Sequence, residues 1–411
     1  MTMKAVTGGV AASKGFMTSS CAAGIRRHGR EDMAMIFSKE PCRAAGTFTQ
    51  NVVKAAPVVW DRDLVHAGSP IHAVVVNSGI ANACTGEQGR AYCKETAECT
   101  AAAFAGEIPA ESVLVASTGV IGMQLPMDRI KEGITELVPR LSDSAANAEL
   151  AARAIMTTDT KHKEFAVEFE VGGTTVHLGG MTKGSGMIHP NMATMLCFLT
   201  TDCRISRALL QKALSGDIKD TYNMISVDGD TSTNDTCVLL SNGLAGNPEI
   251  TEEGEDYRTF CRALHAVNET LAKKMAEDGE GASHLFEVKV VQAHDKQEAV
   301  TLAKSVVSST LTKAAIYGKD ANWGRILCAM GYSGASFDPD KVRLYFVNDI
   351  GKIIVYKDGA PVDFDEDYAK EILGHPEVTA LIEMHEGDAE ATAWGCDLTH
   401  DYVSINSDYR S

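Results

Sequence analysis

The chain has 411 residues, of which 45% are hydrophobic and 23% charged, with a formal net charge of −17 from 38 basic and 55 acidic side chains. That length suggests two or three domains at ~100–200 residues each, with ample material for a buried core. The excess of acid repels phosphate backbones and argues against nucleic acid as a partner, and no apolar run approaches the ~18 residues of a membrane span.

Along the chain, Arg26, Arg27 and Arg30 hint at a transit peptide, but Glu31 and Asp32 follow at once, and the first residues lack the apolar stretch of a secretory signal. A cytoplasmic location is therefore expected. The next β-like runs are Ala73–Val76 in HAVVVNSG and Val113–Ala116 in SVLVASTG. Helical periodicity marks Glu87–Phe104, Asp143–Ile155, Arg207–Leu214 and Tyr257–Ala276. Further strands are expected in FEVKVVQA from Phe286 and RLYFV from Arg343. Interleaved strands and helices argue for an α/β or α+β protein. A break near Gly279–Ala282 suggests a catalytic domain over 1–281 and a C-terminal α/β domain over 282–411. Gly79, Gly86, Gly119, Gly122, Gly179, Gly180, Gly184 and Gly186 are read as turn positions at strand ends. The 11 cysteines include no CxxC pair and read as reduced, mostly buried thiols.

The stretch Gly179–Asp202, GGMTKGSGMIHPNMATMLCFLTTD, concentrates the chemistry. A glycine-rich loop holding Lys183 leads through Pro190 and Ala193 to Thr194, and an apolar run follows. The pattern fits a loop feeding a buried strand. It also fits a nucleophile in waiting. A threonine hydroxyl needs a neighbouring base, and a chain that begins at Thr194 would supply its own α-amine, with a pKa of ~7.7–8.0. Exposing that amine requires the Ala193–Thr194 bond to break.

KGSGMIHPNMATML closely resembles the self-cleavage segment of the ornithine acetyltransferase family, the bifunctional glutamate N-acetyltransferases of arginine biosynthesis. The resemblance extends from GGVAASKGF near Gly8 to INSDYRS at the C-terminus. It includes AAGTFTQNVVKAAPV, VVVNSGIANACTGEQG, VLVASTGVIG, IMTTDTKHK, ISVDGDTSTNDT, EDGEGA and YGKDANWGRI. It implies an α+β fold, a layered helix/sheet sandwich like that of self-processing N-terminal-nucleophile enzymes, with a smaller C-terminal α/β domain. It further implies cleavage between Ala193 and Thr194 into an α chain of 1–193 and a β chain of 194–411.

By the same resemblance Thr194 is the acetylated nucleophile, and Thr118 and Gly119 form the oxyanion hole. Thr157, Lys183, Thr194, Glu280, Asn406 and Ser411 bind substrate. The C-terminal Ser411 stands where threonine is expected in many relatives. The implied reaction moves acetyl from N2-acetylornithine to glutamate, with no bound cofactor or metal. Acetyl-CoA is a possible co-substrate, and a heterotetramer of two α and two β chains the expected assembly. A hydrolase releasing acetate and an uncleaved binding protein are the rival readings.

Three motifs stay outside this scheme. Asp228, Asp230 and Asp235 in SVDGDTSTND could pass for a metal loop, but they lack calcium-loop spacing and read as a turn network. His189 beside the cleavage segment receives no role. GKDANWGR, from Gly318 to Arg325, reads as structural or intersubunit packing.

Overall fold

The computed structural model describes residues 3–26, 29–189 and 195–408. In chain order the elements begin β1 (Lys4–Val6), β2 (Phe16–Cys21), β3 (Met33–Phe48), α1 (Ala56–Ala67), β4 (Ile71–Ile80), α2 (Gly86–Ala103) and β5 (Val113–Val120). Next come α3 (Met127–Leu137), α4 (Ala145–Ala154), β6 (Lys163–Val171), β7 (Thr174–Lys183), β8 (Leu196–Thr201) and α5 (Arg207–Asp217). Then follow β9 (Ile225–Ser226), β10 (Thr236–Ser241), α6 (Glu255–Glu277), β11 (Leu285–Ala293), α7 (Lys296–Val307), α8 (Thr310–Tyr317) and α9 (Trp323–Gly331). The last are β12 (Arg343–Val347), β13 (Lys352–Lys357), β14 (Ala360–Pro361), α10 (Glu366–Leu373), β15 (Glu377–Glu383), β16 (Ala389–Cys396) and α11 (His400–Ser407). This is the mixed helix-and-sheet architecture that the resemblance implied.

The chain divides into two compact units. The first comprises 1–184, 191–221 and 231–271, and the second 185–190, 222–230 and 272–411. The changeover at 271/272 falls inside α6. The segment 222–230 joins the second unit because its strand β9 pairs with β16.

Among the described residues the first unit holds a nine-stranded sheet ordered β1-β6-β7-β8-β10-β3-β4-β5, with β2 also on β3. β3 is 16 residues long and serves two neighbourhoods. Its first half pairs with β2 and β4, and its second half with β10. The register slips between Phe37 and Cys42, where Glu40 and Pro41 interrupt the apolar run and Pro41 cannot donate to a ladder.

Alternation then explains the near-continuous apolar strands. On β4 and β5, Val74, Val76, Leu114 and Ala116 enter one core, while Ala73, Val75, Val113 and Val115 enter another, shared with α2 and α3. The first core also receives Met181 from β7, Phe198 from β8 and Val238 from β10. The two halves of the sheet therefore face each other across it.

Gly179 and Gly180 lie inside β7, not at its end as the sequence suggested. A Cβ at Gly179 would collide with the Gly9 backbone, and one at Gly180 would lie 2.5 Å from the Leu199 side chain. Close packing, not a turn, demands glycine there. All eleven cysteines are free thiols, seven of them buried. No helix among the described residues is long and apolar enough to cross a membrane.

The second unit is built on a sheet ordered β14-β13-β12-β15-β11-β16-β9. The helix α7 packs on β11 and β16, and α10 on β12. GKDANWGR opens α9: Asn322 caps it by accepting the Arg325 N–H at 3.1 Å, and Trp323 stacks on Tyr356.

Candidate active site

Thr118 ends the buried part of β5, and Lys183 is the last residue of β7. These strands are five steps apart in the sheet, which in a flat sheet at ~4.8 Å per step would separate them by roughly 24 Å. Yet Lys183 Nζ donates to Thr118 Oγ1 at 3.3 Å and to Thr157 Oγ1 at 2.8 Å. Folding the sheet back through β3 closes that distance. An ammonium has only donors, so both hydroxyl oxygens act as acceptors and direct their own hydrogens elsewhere.

Gly119 follows with φ +130°, level with Gly79 on β4. A Cβ there would run into the Gly79 backbone. The strand end is braced on several sides. Ser117 Oγ donates to Asn77 Oδ1 at 2.6 Å, and Ser78 Oγ to the Ala154 carbonyl at 2.7 Å. Asn234 Nδ2 donates to the carbonyls of Ala81 and Ser117 at 2.6 and 2.7 Å.

The loop that carries Thr157 is held by residues that the sequence did not single out. Asp159 accepts from the Thr157 N–H at 3.0 Å, the Gly184 N–H at 2.7 Å and Lys163 Nζ at 2.7 Å. It thereby ties the Thr157 loop to the end of β7. Burial opposes a charge on Asp159, but the ammoniums of Lys163 and Lys183 and these hydrogen bonds outweigh it and hold the carboxyl well below the usual range. Arg26 donates to the carbonyls of Met156 and Thr157 at 2.6 and 3.0 Å. It thus clamps the same loop. The signal for both was present, since Asp159 and Lys163 stand inside IMTTDTKHK, but spacing alone cannot separate a buried ion pair from a solvated one.

In the second unit Glu280 is buried, its N–H donates to the Ser185 carbonyl at 2.9 Å, and its Oε2 accepts from Asn406 Nδ2 at 2.7 Å. Its carboxyl lies over Gly186, where a Cβ would meet it at contact shorter than any real side chain allows. Asp228 accepts the N–H groups of Met187, Ile188 and Asp230 at 2.6, 2.8 and 3.2 Å. That geometry is a turn network, and no metal-binding cluster occurs among the described residues. His189 Nδ1 lies 3.0 Å from Ser226 Oγ, and burial, aided by Lys304, pushes the ring below its ordinary pKa. The structure thus brings Thr118, Gly119, Thr157 and Lys183 together in one unit and Glu280 with Asn406 in the other. Ala193, Thr194 and Ser411 lie outside the described residues.

The ArgJ family's sequence profile matches residues 17–411. This chain belongs to the ArgJ family. It is 51% identical over 399 residues to the arginine biosynthesis bifunctional protein ArgJ of Thermotoga neapolitana, covering 97% of this chain and 99% of that one. It is 50% identical to the protein of the same name from Symbiobacterium thermophilum, over the full length of both. A solved relative is the ornithine acetyltransferase of Mycobacterium tuberculosis complexed with ornithine. That match is 43% identical, with a TM-score of 0.44, over 47% of this chain and 100% of that chain. The ArgJ family places the protein among the enzymes of arginine biosynthesis.

Proposed function

We propose that this ArgJ-family protein transfers the acetyl group of N2-acetylornithine to glutamate through an ester on Thr194, after cutting its own chain between Ala193 and Thr194. The observation that carries this reading is the Lys183 ammonium, seated on the hydroxyls of Thr118 and Thr157 at the end of the strand that runs into the cleavage segment. It sets a carboxylate-binding charge beside hydroxyl and backbone donors suited to an acyl oxyanion.

In the proposed cleavage, Thr194 Oγ attacks the Ala193 carbonyl carbon, the C–N bond breaks, and water hydrolyses the resulting ester. The freed α-amine then serves as base. Thr194 attacks the acetyl carbonyl of N2-acetylornithine, with the negative oxygen met by the Thr118 hydroxyl and the Gly119 N–H. Ornithine leaves with its amine reprotonated. The glutamate amine attacks the acetyl ester, and N-acetylglutamate departs. Lys183 binds the α-carboxylate common to both amino acids, Glu280 an ammonium, and Thr157, Asn406 and Ser411 supply neutral hydrogen bonds. Acetyl-CoA is a second possible donor. No resident cofactor or metal, an assembly of two α and two β chains and a cytoplasmic setting complete the proposal.

Intact mass spectrometry of the purified protein beside Thr194→Ala tests it. The expected outcome is two fragments, split before Thr194, in the wild type and one full-length chain in the variant. Ping-pong transfer between N2-acetylornithine and glutamate should accompany the cut protein. A whole wild-type chain would sink the mechanism, and release of free acetate in place of transfer would favour a hydrolase.

A further inference from the structure

Glu280 sits in the loop 278–284, between α6 and β11, and is 7% exposed. Its Oε2 accepts from Asn406 Nδ2 at 2.7 Å, and the same amide also donates to the Tyr402 carbonyl at 3.0 Å. Among the described residues no cation pairs with this carboxylate, and its Oε1 accepts nothing. A charge so far from water is costly until a partner reaches it.

The loop is tied to the turn 397–399, which joins β16 to α11. Asp397 Oδ1 accepts the Ser283 and His284 N–H groups at 2.8 and 3.0 Å. Its Oδ2 accepts the Ser283 hydroxyl at 2.5 Å and lies 3.1 Å from His284 Nδ1. Burial opposes a charge on Asp397, but the hydrogen bonds from His284 and Ser283 outweigh it and hold the carboxyl below its usual range. Two residues on, Thr399 Oγ1 donates to the Gly281 carbonyl at 2.7 Å. Between them the Leu398 N–H donates to the Lys313 carbonyl at 3.2 Å and seats the turn on α8. Gly281 has φ +70°, and a Cβ there would lie 2.7 Å from the Tyr402 nitrogen. The loop therefore lies against the first turn of α11. At ~1.5 Å per residue, that helix carries Asn406 roughly 9 Å on from His400, to the Glu280 carboxylate. Loop, turn and helix close into a ring, with Asp397 at the joint.

The two amino acids of the transfer differ at this point. In N2-acetylornithine the α-nitrogen is an amide without charge, so the ammonium that remains is at the end of the side chain. Glutamate ends in a carboxylate instead. A clamp that aims Glu280 acts on the first and not on the second.

We propose that Asp397 is a positioning residue that aims Glu280 and Asn406 at the side-chain ammonium of the acetyl donor, and so sets donor specificity. This rests on the transfer reading above and on the role given there to Glu280. Asp397 acts through the loop and the helix it joins, without touching substrate.

The experiment compares N2-acetylornithine with N2-acetylnorvaline, the same chain without its terminal amine, as donors to glutamate. It uses the purified, self-cleaved wild type, Asp397→Ala, Asp397→Asn and Thr399→Val. In ping-pong transfer kcat/KM for each substrate reports its own half-reaction. For N2-acetylornithine it should fall about 10-fold or more in Asp397→Ala, and by less in Asp397→Asn and in Thr399→Val, which loses only the hydroxyl. For N2-acetylnorvaline and glutamate it should stay at the wild-type value. In a Glu280→Gln background Asp397→Ala should add no further loss, since no carboxylate remains to be aimed. Equal losses with both donors, or a loss with glutamate, would show a general structural brace and overturn the proposal. An unchanged kcat/KM for N2-acetylornithine would overturn it too. If Asp397→Ala does not fold, Asp397→Asn and Thr399→Val decide by the same comparison, made in the same Glu280→Gln background. A wild type that uses both donors equally overturns the role of Glu280 and this proposal while transfer itself stands. One that moves no acetyl group overturns all three.

Discussion

A carboxylate without access to water keeps its charge only where cations and N–H groups surround it, and Asp159 has both. Replacing it by Asn removes the counter-charge of the buried Lys163 ammonium and loosens the hold on Thr157 and Gly184. Breaking a buried pair costs about 3–5 kcal/mol, so Asp159→Asn should lower the unfolding free energy by that amount, seen as a lower denaturant midpoint with an unchanged slope. The pH dependence has a definite sign. Because the folded pKa is depressed, the stabilisation is fully present above the unfolded value of ~3.9 and is lost as pH falls from there toward the folded value. Acid titration of wild type should therefore show an unfolding component in that window that Asp159→Asn lacks.

Lys183 and Thr118 were legible through the family resemblance of the blocks that hold them, KGSG and ASTGVIG, since by residue type alone they read as a surface charge and a strand-end turn. Asp159 was not singled out, although its motif was recognised. An acid among Thr160, Lys161, His162 and Lys163 looks like a solvated surface until burial is known. Asp235 shows the same limit. Beside Asp228 and Asp230 it resembles one more turn acid, yet Asp228 is partly exposed and accepts three backbone N–H groups while Asp235 is 1% exposed.

At the scale of elements, periodicity identified α2, α4 and α6 within a residue or two of their ends and α5 with its last three residues missing. Helices α1, α3 and α7 to α11, each of eight to twelve residues, were not marked as helices, because so few turns leave only a weak stripe. For α7 to α10 the N-caps were present all along. Asp295, Ser309, Asn322 and Asp365 each accept a backbone N–H in the first turn. The glycines show where reading stops. Gly119 was legible as special, and its φ of +130° and its approach to Gly79 supply the reason. An alanine at Gly119 must adopt a strained backbone and push two parallel strands apart. Strain of this kind alone costs ~1–3 kcal/mol, so Gly119→Ala should lower the melting temperature by several degrees and abolish transfer activity. Gly179 was taken for a turn because a doubled glycine usually marks one, and nothing in the local sequence reveals that the Gly9 backbone presses on it.

At the scale of the molecule, the sheet order carries a consequence for the cut chain. The proposed cleavage before Thr194 would assign β8 and β10 to the second fragment. Yet β8 is hydrogen-bonded to β7 and β10 to β3, both from the first fragment. The two fragments would thus be interleaved within one sheet and share the core of Met181, Phe198 and Val238. They should co-elute at full mass in native gel filtration and part only in denaturant. Fragments that separate under native conditions would contradict this topology.

The sequence by itself determined the family, the class of fold, and the residues on which acyl chemistry is proposed, because those rest on local motifs whose order along the chain is preserved. Only the tertiary structure decided that Thr118 and Lys183, 65 residues apart, share one hydrogen-bonded cluster. It also decided which acids sit among cations and N–H groups and which are sealed from water. Both depend on how β3 turns one half of the sheet onto the other. That is a matter of long-range pairing and exclusion of water, and neither leaves a periodic trace in the chain.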